Sequence, residues 1–117
     1  MSRERDVFLQ DLFTTALEGG IGYWSQAETY HWSDEDPTSF YADIIDNEDD
    51  NESYHIDRAV IVRGLALCLE GCKYGPEGRP RADLMLAAAT NGEDGDYDSD
   101  VADCVVQAGL FGEVVYG

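Results

Sequence analysis

The segment Ile56–Cys72 constrains the fold more than any other, because it contains the longest apolar run of the chain. Only Arg58 and Arg63 interrupt that run, which reads IDRAVIVRGLALCLEGC. Asp57 is a favourable N-cap, since its carboxylate can accept a backbone N–H at the positive end of the helix dipole. Gly71 suits the other end, because glycine adopts positive φ without a steric penalty. The segment predicts a helix that is apolar, and therefore buried, on nearly every side.

A central β-strand is the alternative for this segment, because Ala59–Val62 is rich in β-branched residues. The length between the two caps favours the helix. Gly64 lies in the middle of that helix, where glycine costs about 1 kcal/mol relative to alanine. Its presence predicts that another element approaches the helix closely at this position.

Acidic residues dominate the charge of the chain. The 117 residues include 25 Asp and Glu against seven Lys and Arg, which gives a formal net charge of −18. This charge excludes ordinary binding of nucleic-acid phosphates and disfavours an anionic membrane surface. It favours a basic partner or divalent cations.

The location of the protein is indicated by three further features. No stretch of about 18 apolar residues is present, and the N-terminal segment lacks a signal-peptide core. The three cysteines have no framework spacing, so reduced thiols are expected. Together these features predict a cytoplasmic protein.

Three segments before the central helix predict strands of an antiparallel meander. In the first of them Trp24, Tyr30 and Trp32 share one parity, which predicts one face on the core. The polar segments SDEDP and NEDDN predict the turns between strands. The predicted strands are Ile21–Trp32, Ser39–Asp46 and Glu52–Ile56.

Periodicity and capping predict helices in three other segments. Gly19 and Gly20 end the first, Asp100 is the predicted N-cap of the last, and the apolar tail Phe111–Tyr116 is expected to dock on the core. The result is a single α+β domain, residues 1–117, with a three-stranded antiparallel β-meander packed by helices in the order α-β-β-β-α-α-α. The predicted helices are Arg3–Glu18, Arg81–Thr90 and Asp100–Leu110.

Three segments resemble an uncharacterised family of small acidic proteins from actinobacteria and their phages. They are Thr14–Trp24 (TTALEGGIGYW), Ile56–Leu65 (IDRAVIVRGL) and Val105–Gly117 (VVQAGLFGEVVYG). The family has no established function, so no catalytic or binding residue is carried over. The resemblance implies a phage or mobile-element setting, and with it a role in conflict between phage and host.

Carboxylates are concentrated in two segments that contain no Lys or Arg. Carboxylates spaced like backbone phosphates can present a duplex-like surface to a protein that binds nucleic acid. The alternatives are solvated loops or an acidic source proteome. The predicted partner-binding carboxylates are Asp34, Glu35, Asp36, Asp43, Asp46, Glu48, Asp49, Asp50, Glu52, Asp94, Asp96 and Asp98.

Two groups of residues resemble metal sites, and neither is complete. Aspartates at alternate positions from Asp94 to Asp100 are typical of a calcium-binding loop. Counted from Asp94, however, Ser99 occupies the sixth position, which requires Gly, and Val105 the twelfth, which requires Glu. A zinc site could draw on cysteines and histidines, but no CxxC motif is present. We therefore predict no metal and no other cofactor. The candidate zinc ligands are Cys68, Cys72, Cys104, His31 and His55.

The sequence carries no nucleophile elbow and no phosphate-binding glycine motif. His31 and His55 lie on predicted strands and are expected to share a surface with Tyr30, Tyr41 or Tyr54. The aromatic residues Trp24, Tyr30 and Trp32 could form a surface that stacks a base or a partner side chain, the alternative being core packing.

These features favour a non-enzymatic acidic binding protein, which blocks a nucleic-acid-binding or basic site of a host protein, such as a defence protein, by charge mimicry. One alternative is a small nucleotide- or small-molecule-binding module or enzyme that uses His31, His55 and the aromatic strand. Another is an acidic structural or assembly protein. The expected protein is a monomer or homodimer in the bacterial host cytoplasm, and it binds neither nucleic acid nor membrane directly.

Overall fold

A computed structural model describes residues 3–71, 82–93 and 97–116. The strands form one antiparallel sheet in the order β1-β2-β3. The predicted α+β class, meander and element order are therefore confirmed. The elements are α1 (Arg3–Thr15), β1 (Ser25–His31), β2 (Tyr41–Asp46), β3 (Ser53–Asp57), α2 (Arg58–Leu69), α3 (Ala82–Thr90) and α4 (Ser99–Phe111).

The central strand β2 separates the core from solvent in the way its alternation predicts. Ala42 and Ile44 are fully buried on the inner face, together with Ile56 of β3. Tyr41 and His55 lie on the opposite, outer face and are exposed. One face of the sheet is thus covered by helices, as is usual for an antiparallel sheet in an α+β domain.

The first strand is shorter and more exposed than the predicted strand Ile21–Trp32. The four residues before it form a turn in which Trp24 is buried, and every residue of Gln26–His31 is exposed. The register with β2 shifts between Ala27 and Thr29. Because β1 is an edge strand and none of its residues after Ser25 is buried, the expectation that one face of the strand lies on the core was wrong, apart from a contact of the exposed Tyr30 ring with the buried Phe13.

The end of α1 differs from the prediction, because the chain continues as a π-helical turn over Ala16–Gly20. The predicted stop at Gly19 and Gly20 is confirmed at the second glycine. A Cβ atom on Gly20 would lie 2.6 Å from the carbonyl oxygen of Ser99. The glycine therefore ends the turn and also allows α4 to approach it.

Both ends of α2 match the prediction, but its burial does not. The Asp57 carboxylate accepts the Val60 N–H at 3.1 Å, and Gly71 adopts a φ of 100°. Val62, however, is 40% exposed, and Ala66 is exposed as well. The expectation of burial on nearly every side was wrong, because α4, α1 and β3 cover only part of the helix circumference.

The predicted close approach at Gly64 is confirmed. A Cβ atom on Gly64 would lie 1.9 Å from the carbonyl oxygen of Val105 in α4, and one on Gly109 would lie 2.1 Å from that of Val60. The Arg63 Nε also donates to the Gly109 carbonyl at 2.8 Å. The backbones of α2 and α4 thus touch at a pair of glycines, each facing the other helix.

The last helix begins one residue earlier than predicted. Asp98, and not Asp100, is its N-cap, since the Asp98 carboxylate accepts the Val101 N–H at 3.0 Å. Asp100 lies in the first turn, where a negative charge still favours the helix dipole. Sequence alone could not separate two aspartates two residues apart.

We expect the two aspartates to differ in their contribution to stability. Asp98→Ala should lower the free energy of unfolding by about 1 kcal/mol, because the Val101 N–H loses its acceptor. Asp100→Ala removes only the interaction with the dipole, which is about 0.3–1 kcal/mol at an exposed site. Urea unfolding of both variants checks the order, and a greater loss for Asp100→Ala would contradict this assignment of the cap.

The C-terminal tail docks on the core, as predicted. The Tyr116 ring stacks on Trp24 with a centroid distance of 5.2 Å. The buried Gln107 Oε1 accepts the N–H groups of Val115 and Tyr116 at 2.8 and 2.7 Å. Within the three described ranges, none of the helices has the length and apolar character needed to cross a bilayer.

Candidate functional site

Most of the predicted partner-binding carboxylates lie in two exposed turns at opposite ends of the sheet. The first acidic turn joins β1 to β2, and the second joins β2 to β3. Because β2 has six residues and a strand rises about 3.3 Å per residue, the two turns lie about 20 Å apart. The first acidic turn contains Asp34, Glu35 and Asp36, and the second contains Glu48, Asp49, Asp50 and Glu52.

Local hydrogen bonds fix the first acidic turn. The Asp36 carboxylate accepts the Thr38 hydroxyl at 2.6 Å and the Thr38 N–H at 3.1 Å, and these bonds lower the pKa of Asp36. Arg3 donates to the carbonyl oxygens of Asp34 and Glu35 at 2.6 and 3.4 Å. Since these two bonds end on backbone oxygens, Arg3 anchors the turn to α1 without covering its carboxylates.

The second acidic turn is fixed by its backbone. Asp50 and Asn51 adopt φ values of 49° and 56°, a left-handed conformation that Asp and Asn tolerate better than most residues. The Glu52 N–H donates to the Asp49 carbonyl at 3.0 Å. All four acidic residues of this turn are exposed, so their carboxylates contribute charge rather than packing.

Asp46 must be removed from the predicted surface. Its side chain is 0% exposed, and its carboxylate accepts the Glu48 N–H at 2.8 Å and the Tyr116 hydroxyl at 2.7 Å. The residue ties the second acidic turn to the C-terminal tail. Its role is therefore structural, and a partner cannot reach it in this conformation.

The two histidines share the outer sheet face, and Tyr41 is the tyrosine between them. Centroid distances are 5.3 Å from His31 to Tyr41 and 6.0 Å from Tyr41 to His55. Tyr30 and Tyr54 instead contact Phe13 and Phe111 on the other side. The shared surface is confirmed, but it is an open face, whereas small-molecule sites bury most of their ligand in a cleft.

Asp43 lies on the same outer face and is only partly accessible. Its carboxylate contacts His55 Nδ1 at 2.7 Å and accepts the Thr29 hydroxyl at 2.7 Å. The His55 bond first, and then the Thr29 bond, lower the pKa of Asp43. This carboxylate stays charged, but part of its hydrogen-bonding capacity is already used within the sheet.

The remaining predicted acidic residues and candidate metal ligands lie in separate parts of the chain. Asp94, Asp96 and Cys72 lie outside the described residues, and Asp98 caps α4. Cys68 is buried in the core and Cys104 is half-buried. In the portions of the chain that the structure describes, no three His, Cys, Asp or Glu side chains come together to hold a metal ion.

The predicted aromatic surface separates into a buried and an exposed part. Trp24 is fully buried, and its indole N–H donates to Asp103 at 2.8 Å, so for this residue the alternative of core packing is confirmed. Tyr30 and Trp32 remain exposed, Trp32 by 46%. Trp32 follows the last residue of the edge strand and lines a groove together with residues of α1.

Among the residues that the structure describes, tyrosine hydroxyls donate to carboxylates at four places, a feature that sequence reasoning missed. Three of these bonds measure 2.6 Å (Tyr23 to Asp103), 2.6 Å (Tyr30 to Glu18) and 2.7 Å (Tyr116 to Asp46). The fourth joins Tyr97 to Asp11. The chain has seven tyrosines, as many as Lys and Arg combined. That ratio was the available signal, because tyrosine can satisfy a carboxylate where basic residues are scarce.

These pairs predict a loss of stability at alkaline pH. The hydrogen bond to Asp46 raises the pKa of Tyr116 to about 12, and burial, followed by the bond to Asp103, raises the pKa of Tyr23. An unfolded tyrosine titrates near about 10. The folded state holds these protons more tightly, so their contribution is complete below about pH 10 and is lost as the pH rises toward about 12.

Urea unfolding between pH 8 and 11.5, combined with absorbance of tyrosinate, measures this effect. Tyr116→Phe is the matched variant, because it keeps the ring stacked on Trp24 but has no proton to lose. It should show a shallower decline than the wild-type protein. Equal stability of the wild-type protein at pH 9 and pH 11.5 would contradict the prediction.

The exposed candidates are therefore the two acidic turns, the outer sheet face with Asp43, and the side chain of Trp32. Their positions follow from the sheet, since β2 separates the turns and its outer face lies between them. Comparisons with protein-family models, with curated proteins and with solved structures found no match to this chain.

Proposed function

We propose that this protein is a non-enzymatic acidic binding protein, which blocks a nucleic-acid-binding or basic site of a host protein by charge mimicry. The observation that carries the proposal is the arrangement of the two acidic turns. They expose seven carboxylates at the two ends of one sheet, about 20 Å apart by the rise of β2. The resemblance to small acidic proteins of actinobacteria and their phages supports a host protein as the partner.

The charge density supports competition with nucleic acid. Duplex DNA carries one charge per about 1.7 Å of axis, or about a dozen charges over 20 Å. The two turns present a little over half that number across the same length. A groove that uses Lys and Arg to bind phosphates would gain a comparable attraction from these carboxylates, and the attraction would weaken with salt.

The turns are also preorganised for binding. Asp36 is held by Thr38, and the buried Asp46 holds the Glu48 N–H. A partner therefore has little chain to order when it binds, which reduces the entropic cost of association. Ordered charges at fixed spacing support mimicry of a surface, while a disordered acidic tail would not have a fixed spacing.

The proposal can be tested by capture from an actinobacterial host lysate on the immobilised protein. At constant ionic strength, duplex DNA or RNA should release the captured partner, because both ligands occupy the same site. Release by salt alone, with no competition by nucleic acid at any concentration, would contradict mimicry of nucleic acid.

A matched pair of variants shows where the partner binds. One variant neutralises the second acidic turn with Glu48→Gln, Asp49→Asn, Asp50→Asn and Glu52→Gln. The control removes four exposed carboxylates elsewhere, with Glu4→Gln, Glu70→Gln, Glu93→Gln and Glu113→Gln. We expect the turn variant to lose capture and the control to keep it. Equal capture by both would mean that the turn does not bind the partner.

A further inference from the structure

A groove of about 250 Å³ lies between the exposed side of α1 and the residues that follow β1. Its walls combine an indole ring with three carboxylates. None of the described residues that line it is a Lys or Arg. The side chains that matter here are Trp32, Val7, Thr14, Asp11, Glu18 and Asp34.

One wall of the groove is formed by a single side of the first helix. Val7, Asp11, Thr14 and Glu18 follow one another at intervals of three or four residues, so they lie along one side of α1 and its π-helical continuation. Val7 is 47% exposed. This side of the helix therefore faces solvent rather than the core.

The opposite wall is held in place by Gln10. This buried side chain donates from Nε2 to the Ser33 carbonyl at 3.0 Å and accepts the Ser33 N–H at Oε1 at 3.1 Å. The two bonds fix the backbone of Ser33 against α1. Its neighbours Trp32 and Asp34 are consequently positioned at the rim of the groove.

Two of the carboxylates are oriented by tyrosine hydroxyls. Tyr30 donates to Glu18 at 2.6 Å, and Tyr97 donates to Asp11. A neutral hydroxyl orients a carboxylate while leaving its charge in place, and the second oxygen of each carboxylate remains an acceptor. The groove thus presents an oriented, negatively charged rim around an exposed aromatic ring.

We propose that this groove receives an arginine side chain of the partner, with the guanidinium stacked on Trp32 and bonded to the carboxylates. The inference rests on the proposed function, since it takes the partner to be basic. A volume of about 250 Å³ lies below the range of about 300–1,000 Å³ for small-molecule pockets and suits one side chain.

Arginine fits these walls better than lysine does. The guanidinium group is planar, stacks on an indole face and offers five donors in a fixed plane, so it can serve the ring and more than one carboxylate together. A lysine ammonium is a strongly hydrated point charge and matches only the carboxylates. The groove therefore predicts a preference for arginine, which charge alone would not produce.

NMR of the 15N-labelled protein can test this directly, because the chain has two tryptophans in opposite settings. The Trp32 indole N–H reports on the groove, while the Trp24 indole N–H is buried against Asp103. Titration with N-acetyl-arginine amide should move the Trp32 signal and leave the Trp24 signal in place. The lysine analogue should move it several-fold less at equal concentration, and the glutamine analogue should not move it. Trp32→Phe identifies the signal by removing it.

Two variants of equal net charge distinguish arginine binding in the groove from nonspecific electrostatic attraction to the acidic protein. Asp11→Asn with Asp34→Asn should weaken arginine binding by at least about tenfold, since two charged acceptors are lost. Asp49→Asn with Asp50→Asn changes only the second acidic turn, where asparagine tolerates the positive φ, and should leave binding unchanged. Equal weakening in both would overturn the inference.

The outcome is independent of the capture experiment. A partner that is captured and displaced by nucleic acid, with no movement of the Trp32 signal by arginine, would overturn the arginine site and leave the proposed function standing. Movement of the Trp32 signal without any such partner would support the arginine site and contradict the proposed function.

Discussion

Replacing Gly64 by alanine should destabilise the domain by about 3 kcal/mol, the upper end of the usual cost of overpacking, or by more. The new Cβ would lie 1.9 Å from the Val105 carbonyl oxygen and 2.9 Å from the Gly109 nitrogen. Both neighbours are backbone atoms of α4, so no side chain can rotate away. Relief requires the two helices to separate, which would also disturb the Arg63 bond to Gly109.

The matched control is Gly22→Ala. A Cβ atom on Gly22 would meet nothing within 4 Å, and alanine should therefore cost little there. Urea unfolding of both variants, at the pH at which the wild-type protein is most stable, measures the difference. If Gly64→Ala lost less than about 1 kcal/mol, the close contact between α2 and α4 would be wrong.

The second large effect is expected for Asp103→Ala. The Asp103 carboxylate accepts the Trp24 indole N–H at 2.8 Å, the Gln107 amide at 2.9 Å and the Tyr23 hydroxyl at 2.6 Å. Trp24 and Gln107 are fully buried. The buried Trp24 N–H would be left without its acceptor, which should cost about 1–3 kcal/mol, whereas the Gln107 amide still donates to the Tyr116 carbonyl at 3.1 Å.

This substitution should also loosen the C-terminal tail, because Gln107 holds the backbone of Val115 and Tyr116. Urea unfolding gives the loss of stability, and acrylamide quenching of tryptophan fluorescence should show that Trp24 has become accessible. Asp100→Ala removes one carboxylate from an exposed position of the same helix and is the control for net charge. If the two variants had equal stability, the buried network would not contribute as described.

The sequence predicted the fold where the determinants are local. The cap at Asp57 and the approach at Gly64 follow from the chemistry of single residues within one helix, and both are confirmed. The prediction of a core face for β1 was wrong because the strand lies at the edge of the sheet. Its register also shifts between Ala27 and Thr29, and no residue type marks that shift in advance.

The candidate site was less predictable, because burial of a polar residue depends on distant partners. Asp46 looks like its exposed neighbours in an acidic run, but its hydroxyl donor is Tyr116, 70 residues away. For the same reason the sequence leaves both a surface position and core packing open for Trp24, since its acceptor Asp103 is 79 residues away. The exposed turns were predictable because turn-forming and acidic residues coincide there.

The groove beside Trp32 could not be read from the sequence. Its residues come from α1 and from the first connection of the sheet, and they meet where Gln10 binds the Ser33 backbone and Arg3 binds the Asp34 carbonyl. Trp24 and Trp32 lie in the same aromatic segment, and the residue type alone does not show which of them is buried. Only the turn before β1, which places Trp24 in the core, separates the two.

The central claim is that the acidic turns attract a basic site, and the association rate constant of the captured partner tests it most directly. The rate should be measured from low to high NaCl for the wild-type protein and for a variant with Glu48→Lys, Asp49→Lys and Glu52→Lys. Asp46 is left unchanged, because it is buried. Glu4→Lys, Glu70→Lys and Glu113→Lys provide a control with the same change in net charge.

Electrostatic steering raises association rates by about 10–10³-fold and is screened by salt. We expect the wild-type rate to fall steeply with NaCl, the turn variant to associate slowly at every salt concentration, and the control to retain most of the wild-type rate. A wild-type rate that does not depend on salt, or a turn variant that associates as fast as the control, would contradict the account.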